Sequence, residues 1–331
     1  MTLGFRISPA WWPVLALASP ILLPVLAARA VRFRRGEKEA ARRNAARLAS
    51  ARPLDLPALP SLELTVVVEH AHEAGFEGDA AVSYLLRSDR GGLLMDVGFG
   101  PEHPAFGHNT ERLGLTMADA DALLISHLHL DHMGGMAAQR SGQVTLPPGF
   151  ADETRKPCYV PDDCEAPGFD VHLVEGPSIL AGGLGTTGPL ARMLYFHGLL
   201  EEQAVVARLE GRGLVVLTGC GHPTVDVILD MVSKLSDEPI HCVGGGLHFP
   251  ITGSRLTRAG IQAQQLFGTG KPVWQRITDA DLDRTIQKLN DLEVERLLLS
   301  AHDTCDHALE RLSREVDAQV EVLKAGASYA L

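Results

Sequence analysis

Short apolar runs that end at turn residues recur along the chain from about residue 60 onwards. Such runs, rich in Val, Leu and Ile and bounded by Gly, Asp or Ser, are typical of strands buried in a sheet. The predicted strands span residues 62–68, 82–86, 93–97, 122–125, 205–209, 214–218, 240–243 and 297–300. The pattern therefore predicts a protein with a substantial sheet content.

Segments with helical periodicity lie between or after these runs. The predicted helices span residues 133–139, 224–235, 278–289 and 306–316. Strands and helices that alternate in this way indicate an α/β fold. Residues 141–190 are rich in Gly and Pro and show little periodicity, so we expect a long loop region beside the functional site.

The pattern at the start of the chain is different. Residues 7–28 form a stretch of 22 residues that carries no charge and includes Trp11 and Trp12. This length is sufficient for a helix to cross a bilayer, and Trp side chains are typical of the membrane interface. We therefore predict a transmembrane anchor over residues 1–31, since prolines are better tolerated in membrane helices than in soluble ones.

Residues 32–60 are predicted to connect this anchor to the main domain. Residues 32–50 are rich in Arg, Ala and Glu without a wide apolar face, which indicates a polar juxtamembrane helix. Three prolines between residues 53 and 60 then indicate a stiff linker. The main domain is therefore assigned to residues 61–331, and we expect it to fold without residues 1–60.

Charge is divided unevenly between these regions. The chain has a formal net charge of −11, whereas residues 1–60 hold 10 Lys and Arg against 3 Asp and Glu, a net of +7. Nine of these basic residues follow the apolar stretch. By the positive-inside rule they predict a single-pass protein of the inner (cytoplasmic) membrane, with its main domain facing the cytoplasm. The acidic main domain argues against nucleic acid binding.

Two alternatives remain for the apolar stretch. Ala28-Arg29-Ala30 has the small-x-small pattern of a signal-peptide cleavage site, although the basic residues lie on the wrong side of the apolar core. A segment that lies in the membrane interface is the other alternative.

A dense group of metal-ligating side chains follows the predicted strand at residues 122–125. The group consists of His127, His129, Asp131 and His132. Imidazole and carboxylate groups are ligands for Zn, Mn and Fe. The spacing predicts two half-sites, one built on the first two histidines and the other on the aspartate and the third histidine. A polar surface loop that is rich in His is the alternative.

Further histidines follow other predicted strands at short distance. His222 lies four residues after the run that ends at Thr218, and His302 lies two residues after the run that ends at Ser300. Ligands placed at the ends of adjacent strands converge without one loop having to carry the whole site. This regularity favours the metal interpretation.

The dense group has the form HxHxDH followed by Gly-Gly, which resembles the metallo-β-lactamase superfamily. Further motifs resemble those of a branch typified by dihydropterin–ribofuranosylaminobenzene phosphate synthase. They include Glu202-Gln203-Ala204, Thr218-Gly219-Cys220-Gly221-His222, Gly244-Gly245-Gly246-Leu247-His248 and His302-Asp303-Thr304-Cys305. The resemblance covers roughly residues 62–315. It implies an αββα sandwich and a catalytic role for residues 61–331.

The resemblance also implies roles for particular residues. His222 would be the third ligand of the first metal, and His302 would complete the second. His248 is either a ligand or a catalytic group that faces the substrate, with an ordinary loop histidine as the alternative. Cys220 stands near the position where many superfamily hydrolases have a metal-bridging Asp, and we expect it to shape the turn more than to bind metal. Asp96 is expected to orient a ligand histidine.

Two divalent metal ions are therefore the expected cofactors, Zn in the first place with Mn or Fe as alternatives. In such sites the metals activate a bridging water, and Asp131 would act both as a ligand and as a proton acceptor. The expected function is a membrane-anchored hydrolase of a small-molecule ester, phosphoester or lactone. A transferase similar to the synthase is one alternative, and a metal-binding sensor without turnover is another.

Overall fold

Two β-sheets pack face to face, and each carries helices on its outer surface. This arrangement is seen in a computed structural model that describes residues 5–151 and 154–331. The first four residues of the predicted anchor lie outside the described residues. The predicted α/β fold, with two sheets between helical layers, is confirmed.

The strands are short and are distributed over the whole of the main domain. They are β1 (Ala58–Leu59), β2 (Leu62–Val68), β3 (Ser83–Ser88), β4 (Gly91–Met95), β5 (Ala122–Leu124), β6 (Pro157–Val160), β7 (Asp170–Leu173), β8 (Ser178–Ile179), β9 (Gly185–Thr186), β10 (Leu190–Leu194), β11 (Gly198–Glu202), β12 (Val205–Leu209), β13 (Gly213–Thr218), β14 (Ile240–Gly245), β15 (Thr257–Arg258), β16 (Ile261–Gln262), β17 (Arg296–Leu299), β18 (Gln319–Val322) and β19 (Ser328–Ala330). The helices are α1 (Trp12–Ser50), α2 (Pro104–Leu113), α3 (Leu130–Met133), α4 (Met136–Ser141), α5 (Val225–Leu235), α6 (Asp279–Asp291) and α7 (Asp306–Glu315).

Each sheet contains a set of parallel strands, and these sets place the functional loops. One sheet has the order β18-β17-β14-β13-β12-β9-β8, with β1 paired beside β12, and the other has the order β19-β2-β3-β4-β5-β6-β7. Neighbours are parallel from β13 through β14 to β17, and again from β4 through β5 to β6. The strand pairs β10–β11 and β15–β16 form separate hairpins.

Three clusters of buried apolar side chains fill the spaces between the layers. One lies between the two sheets and includes Val66 and Val215. A second packs α5, α6 and α7 on the outer face of the first sheet, and a third packs α2 on the outer face of the second. Strand β13 is buried along its whole length because both of its faces are covered. This explains why its sequence is a continuous apolar run and does not alternate.

Most of the predicted elements occur within two residues of their predicted ends. Two of these predictions of secondary structure are wrong. The helix expected over residues 133–139 is interrupted at Gly134 and Gly135, whose φ angles of 109° and 106° only glycine adopts readily. The region 141–190 is not one long loop, because β6 to β9 add short strands to both sheets.

Helix α1 runs without interruption from Trp12 to Ser50, so the boundary predicted at residue 31 lies inside it. Its second half packs on the β10–β11 hairpin of the main domain. A Cβ atom on Gly36 would lie 2.3 Å from the sulfur of Met193, which shows how closely helix and hairpin approach. Asn44 donates to the carbonyl of Ala191 at 2.9 Å and accepts from its N–H at 2.7 Å. The second half of α1 has no wide apolar face. It is therefore held on the β10–β11 hairpin by the close approach of the two backbones and by hydrogen bonds.

The first half of α1 is apolar and exposed. The helical segment from Pro9 to Ser50 contains an 18-residue window with a hydropathy of 2.0, none of which is buried. By length and composition this segment is able to cross a membrane, and a signal sequence would pass the same test. The helix is therefore compatible with the predicted membrane anchor.

Both ends of this apolar half contact the main domain. Before the helix, the N–H of Ser8 donates to the carbonyl of Gly260 at 2.8 Å. At the other end of this half, the hydroxyl of Tyr195 donates to the carbonyl of Leu26 at 2.6 Å. The apolar half therefore lies alongside the domain and does not project away from it.

Residues 53–60 belong to the main domain, which corrects the expectation that residues 1–60 are dispensable. Leu56 and Leu59 are 1% and 0% exposed, and β1 pairs in parallel with β12. A deletion that ends at residue 60 would remove buried apolar side chains as well as the docked half of α1. A truncation meant to preserve the fold should end before Phe33, which is 2% exposed.

We predict that Asn44→Ala lowers the free energy of unfolding by about 1–3 kcal/mol, because two buried backbone groups of Ala191 lose their partners. Chemical denaturation of the detergent-solubilised protein measures this change. Lys38→Ala, at an exposed position of the same helix, should change stability by no more than about 0.5 kcal/mol. Equal stabilities of the two variants would contradict the docking of α1.

Candidate metal centre

Side chains from both sheets meet at the edge where parallel strands end. Strand β5 ends just before the loop that carries His127, β13 ends before Cys220 and His222, and β17 ends before His302. The carboxyl ends of parallel strands lie at the same edge, so these loops converge. The six predicted metal ligands are all brought to this edge; they are His127, His129, Asp131, His132, His222 and His302.

The first half-site brings three imidazole nitrogens together. The Nε2 atom of His127 lies 3.0 Å from Nδ1 of His129, and Nε2 of His222 lies 3.2 Å from the same atom. Ligands bound to a tetrahedral Zn²⁺ at about 2.0–2.1 Å stand ~3.3 Å apart. Both distances are therefore close to the spacing between two ligands of one such ion.

Burial keeps these three imidazoles neutral. It lowers the pKa of His127, His129 and His222 well below the usual value, and neighbouring imidazoles lower each pKa further. A neutral imidazole offers a lone pair to a metal. The histidines of the first half-site are therefore prepared for metal binding without loss of a proton.

The second half-site combines nitrogen, oxygen and sulfur. The Nε2 atom of His132 lies 3.1 Å from Sγ of Cys220 and 3.7 Å from Oδ2 of Asp131. The Nε2 atom of His302 lies 3.3 Å from the same sulfur. The ligand atoms of these four residues all lie within 4.8 Å of one another, as a shared ion would require.

Cys220 belongs to both half-sites, since its sulfur also lies within 4.8 Å of the ligand atoms of His127 and His222. Burial raises the pKa of the Cys220 thiol well above its usual value. The thiol would therefore lose its proton only to a bound metal, which deprotonates a coordinating thiol. The sulfur of Cys220 thus lies near the ligand atoms of both half-sites, whereas the sequence interpretation gave this residue mainly a role in the turn.

Asp96 orients His132, as expected. Its carboxylate accepts hydrogen bonds of 2.7 Å from Nδ1 of His132 and from both the N–H and the hydroxyl of Ser126. Burial acts to lower the pKa of His132, but the charges of Asp96 and Asp131 outweigh it and raise this pKa to about 9. A metal bound at Nε2 of His132 must therefore displace a proton.

The sequence profile of the metallo-beta-lactamase superfamily matches residues 77–232, which include five of the six predicted ligands. Residues 77–232 of this chain therefore match a metallo-beta-lactamase superfamily domain. The comparison matches the superfamily and not a particular branch of it. A comparison with curated proteins gave no match.

Solved structures are similar to this domain to different degrees. Tm1679, a metal-dependent hydrolase of the beta-lactamase superfamily, is 20% identical; the match covers 81% of this chain and 98% of that one, with a TM-score of 0.58. YhfI from Bacillus subtilis, a metallo-beta-lactamase fold protein, is 14% identical over 82% and 100% of the two chains, with a TM-score of 0.48. An isothiocyanate hydrolase from Delia radicum gut bacteria is 14% identical over 81% and 98%, with a TM-score of 0.47.

Glu202 holds the turn that carries two of the ligands of the metallo-beta-lactamase domain. Its buried carboxylate accepts hydrogen bonds from the N–H groups of Cys220, Gly221 and His222 at 3.0, 2.7 and 2.8 Å. The sequence motif at residues 202–204 pointed to this position but not to its role. The partners lie 18 to 20 residues further along the chain, beyond the reach of local patterns.

Glu69 and Ser300 support His302 in a similar way. The hydroxyl of Ser300 lies 2.5 Å from Nδ1 of His302 and 2.5 Å from the Glu69 carboxylate. Glu69 also accepts from the hydroxyl of Tyr84 at 2.9 Å, and burial raises its pKa to about 7. The sequence interpretation gave Glu69 no role in the site, because it directly follows β2, far from the histidines in sequence.

His248 and Asp303 extend the site on one side. The ligand atoms of His248, Asp303 and Cys220 lie within 4.8 Å of one another. The backbone of His248 has a φ of 55°, in the left-handed region, and its N–H donates to Asp303 at 3.1 Å. Neither ring nitrogen of His248 has a hydrogen-bond partner among the described residues. Asp303 was not predicted, although it directly follows the predicted ligand His302.

His197 lies on the other side of the site, in the turn of the β10–β11 hairpin. Its ring centroid is 5.2 Å from that of His129, and both residues line a cavity of about 160 Å³. His129 has a ring nitrogen within 3.2 Å of those of His127 and His222, but His197 makes no such contact within residues 5–151 and 154–331. His197 therefore borders the site as a wall residue.

We predict that the purified protein binds close to two Zn²⁺ ions per chain and that His127→Ala combined with His129→Ala removes at least one of them. Two of the three nitrogens of the first half-site are then absent. Elemental analysis after dialysis measures the metal content. His172→Ala, at an exposed position of β7, is the control and should keep full occupancy. Full occupancy of the double variant would rule out this ligand assignment.

Proposed function

We propose that the metallo-beta-lactamase domain is a dinuclear metal-dependent hydrolase. The observation that carries this proposal is the pair of half-sites, which share Cys220 and present imidazole, carboxylate and thiol groups in one buried cluster. The fold shared with Tm1679, which is described as a metal-dependent hydrolase, supports it. A mixed nitrogen, oxygen and sulfur set suits Zn²⁺ better than Mn²⁺, because thiolate is a soft ligand.

When bound, two such ions would supply a nucleophilic water at neutral pH and stabilise the charge that develops on an ester, phosphoester or lactone oxygen. The protein groups around them have different tasks. His127, His132 and His302 are fully buried and hold fixed positions, whereas the Asp131 side chain is 16% exposed and reaches the cleft. Burial raises the pKa of Asp131. Its carboxylate is placed to accept a proton from a water in the cleft.

His248 is placed to face the substrate. Its ring lines a cavity of about 340 Å³ together with His222. The Nδ1 atom lies 3.6 Å from the Asp303 carboxylate, whereas Nε2 has no partner among the described residues. A buried Nε2 without a partner is costly unless a ligand satisfies it. We therefore assign His248 to hydrogen bonding with the substrate or with its leaving group, and we propose Asp131 as the proton acceptor.

We predict that Asp131→Asn lowers kcat at least about 100-fold on any ester, phosphodiester or lactone that the wild-type protein hydrolyses, because an amide neither accepts a proton nor neutralises a metal. A chromogenic substrate screen, followed by kinetics on the best substrate, provides the measurement. The control is Asp89→Asn, in the exposed turn between β3 and β4, which should retain wild-type kcat. Wild-type kcat in Asp131→Asn would refute its role.

We also propose that the apolar half of α1 attaches the protein to the inner membrane, with the catalytic domain in the cytoplasm. Large apolar side chains at Trp12, Val14, Leu17, Ile21 and Leu23 are at least half exposed. An exposed apolar surface of this extent is typical of a membrane contact. The basic residues that follow it would face anionic lipid headgroups.

The contacts at both ends of the apolar half restrict how this half can be oriented relative to the bilayer. A helix that crosses the bilayer and leaves the domain on one side would separate Ser8 from Gly260, whose backbones are hydrogen bonded. Attachment to one leaflet preserves this contact together with that between Tyr195 and Leu26. We therefore propose an interfacial attachment to the cytoplasmic leaflet in place of the single-pass span.

We predict that the protein sediments with membranes and that Leu17→Asp combined with Ile21→Asp releases it, because both positions are exposed and apolar. Leu173→Asp, at an exposed apolar position of β7, is the control and should remain bound. A cysteine introduced as Ser8→Cys should react with a membrane-impermeant maleimide only from the cytoplasmic side. Labelling only from the opposite side would establish a membrane-spanning helix.

A further inference from the structure

The cavity of about 340 Å³ beside His222 and His248 has an unusual set of charges on its walls. Three cationic side chains line it, Arg192, Lys271 and Arg284, together with two carboxylates, Asp226 and Asp281. The cavity opens directly beside the candidate metal centre, so whatever fills it lies next to the reacting bond. Its charges therefore determine which groups a substrate can place there.

Asp281 is already neutralised by two of the cations. The Nζ atom of Lys271 lies 2.9 Å from Oδ1 of Asp281, and Nη2 of Arg284 lies 2.5 Å from the same oxygen. These three side chains form an ion-pair network on one wall of the cavity. They carry a single excess positive charge between them, which the carboxylate of Asp226 on the opposite wall can balance.

Arg192 is different, because no carboxylate among residues 5–151 and 154–331 lies within 4.0 Å of its guanidinium. Its only hydrogen bond to the described residues is a long one, 3.4 Å, from Nη2 to the carbonyl of Gly270. Glu37 and Asp281 act on it only from longer range, and burial lowers its pKa. An arginine nevertheless stays protonated in proteins. A partly buried guanidinium thus retains most of its N–H donors for a ligand.

The fold holds this guanidinium in place from two sides. Ala191 and Met193, its neighbours on β10, contact α1, so Arg192 points to the opposite face of the hairpin, towards the cavity. On the far side a Cβ atom on Gly270 would lie 2.0 Å from Nε of Arg192. The loop can approach the guanidinium this closely only because residue 270 is glycine. Arg192 is therefore positioned by packing and not by an acidic partner.

The first turn of α5 adds a second source of positive potential to the same cavity. Thr224, Val225 and Asp226 line it, and the N-cap residue Thr224 makes no side-chain cap hydrogen bond. The N–H groups at the start of an 11-residue helix favour a negatively charged ligand. This positive potential comes from backbone groups and is independent of Arg192. Helix α5 follows His222 in the sequence, whereas Arg192 precedes it.

We propose that this cavity is a binding site for an oxyanion group of the substrate, a carboxylate or a phosphate, with Arg192 as its principal anchor. The proposal rests on the proposed hydrolase function and narrows its substrate class to small anionic esters, phosphoesters or lactones. The planar guanidinium binds either oxyanion through two parallel hydrogen bonds. The anionic group would sit in the cavity while the scissile bond lies at the metal centre.

Binding of inorganic phosphate and of succinate to the zinc-loaded full-length protein, measured by calorimetry, tests the site without turnover. Arg192→Met should weaken the binding of the preferred anion roughly 10- to 100-fold and leave the zinc content unchanged. Arg192→Lys should recover part of the loss. Arg212→Met, in the exposed turn between β12 and β13, is the control and should bind as the wild type does. Unchanged affinity in Arg192→Met would overturn the proposal, because the metals alone would then hold the anion.

A gain of affinity provides a test that misfolding cannot imitate. Asp226→Asn removes a negative charge from the cavity wall and should strengthen anion binding about two- to fivefold. An equal or weaker affinity would count against the cavity as the binding site.

Kinetics separate this proposal from the proposed function. If the wild type hydrolyses 4-nitrophenyl acetate and 4-nitrophenyl hemisuccinate, Arg192→Met should raise KM only for the anionic hemisuccinate. If neither ester nor any phosphoester is hydrolysed but phosphate binding still depends on Arg192, the hydrolase proposal fails and the anion site stands. If hydrolysis occurs and KM for the anionic ester is unaffected by Arg192→Met, the hydrolase stands and the anion site fails.

Discussion

Burial of ionisable side chains at one edge of the sandwich is the constraint on which the rest of the structure depends. His127, His132 and His302 are fully buried, and Cys220 is 2% exposed. Buried polar groups are tolerated only when they are hydrogen bonded or bound to a metal. The carboxylates behind the ligands, those of Asp96 and Glu202, therefore accept several hydrogen bonds each. This outer layer fixes the rings and the turn before any metal arrives, so the site does not have to be ordered by the ion itself.

The sequence was sufficient to predict the sheets and most of the ligands for a physical reason. Strands such as β13 are buried on both faces, which makes them continuous apolar runs, and each ligand follows such a run within a few residues. The supporting groups could not be found in this way. Glu69 contacts Ser300 across 231 positions of the chain. Arg192 stands out only because its guanidinium has no carboxylate partner among the described residues. Neither property leaves a local pattern.

Helix α1 illustrates the same limit. Its apolar half was evident from composition, but its docked half has no apolar stripe and depends on a close approach at Gly36 and on hydrogen bonds from Asn44. This docking connects α1 to the site. The hairpin that contacts α1 on one face carries Arg192 on the other, His197 in its turn and Glu202 at its end. The helix is therefore part of the site's support.

The central claim is that two metal ions are bound in one centre with Cys220 between them. X-ray absorption spectroscopy of the zinc-loaded protein at the zinc edge tests it most directly. We expect about two zinc ions per chain, each with nitrogen or oxygen neighbours at about 2.0–2.1 Å and a sulfur neighbour at about 2.3 Å. The sulfur signal should disappear in Cys220→Ser. A wild-type spectrum with nitrogen and oxygen neighbours only would show that Cys220 is not a ligand and would contradict the shared centre.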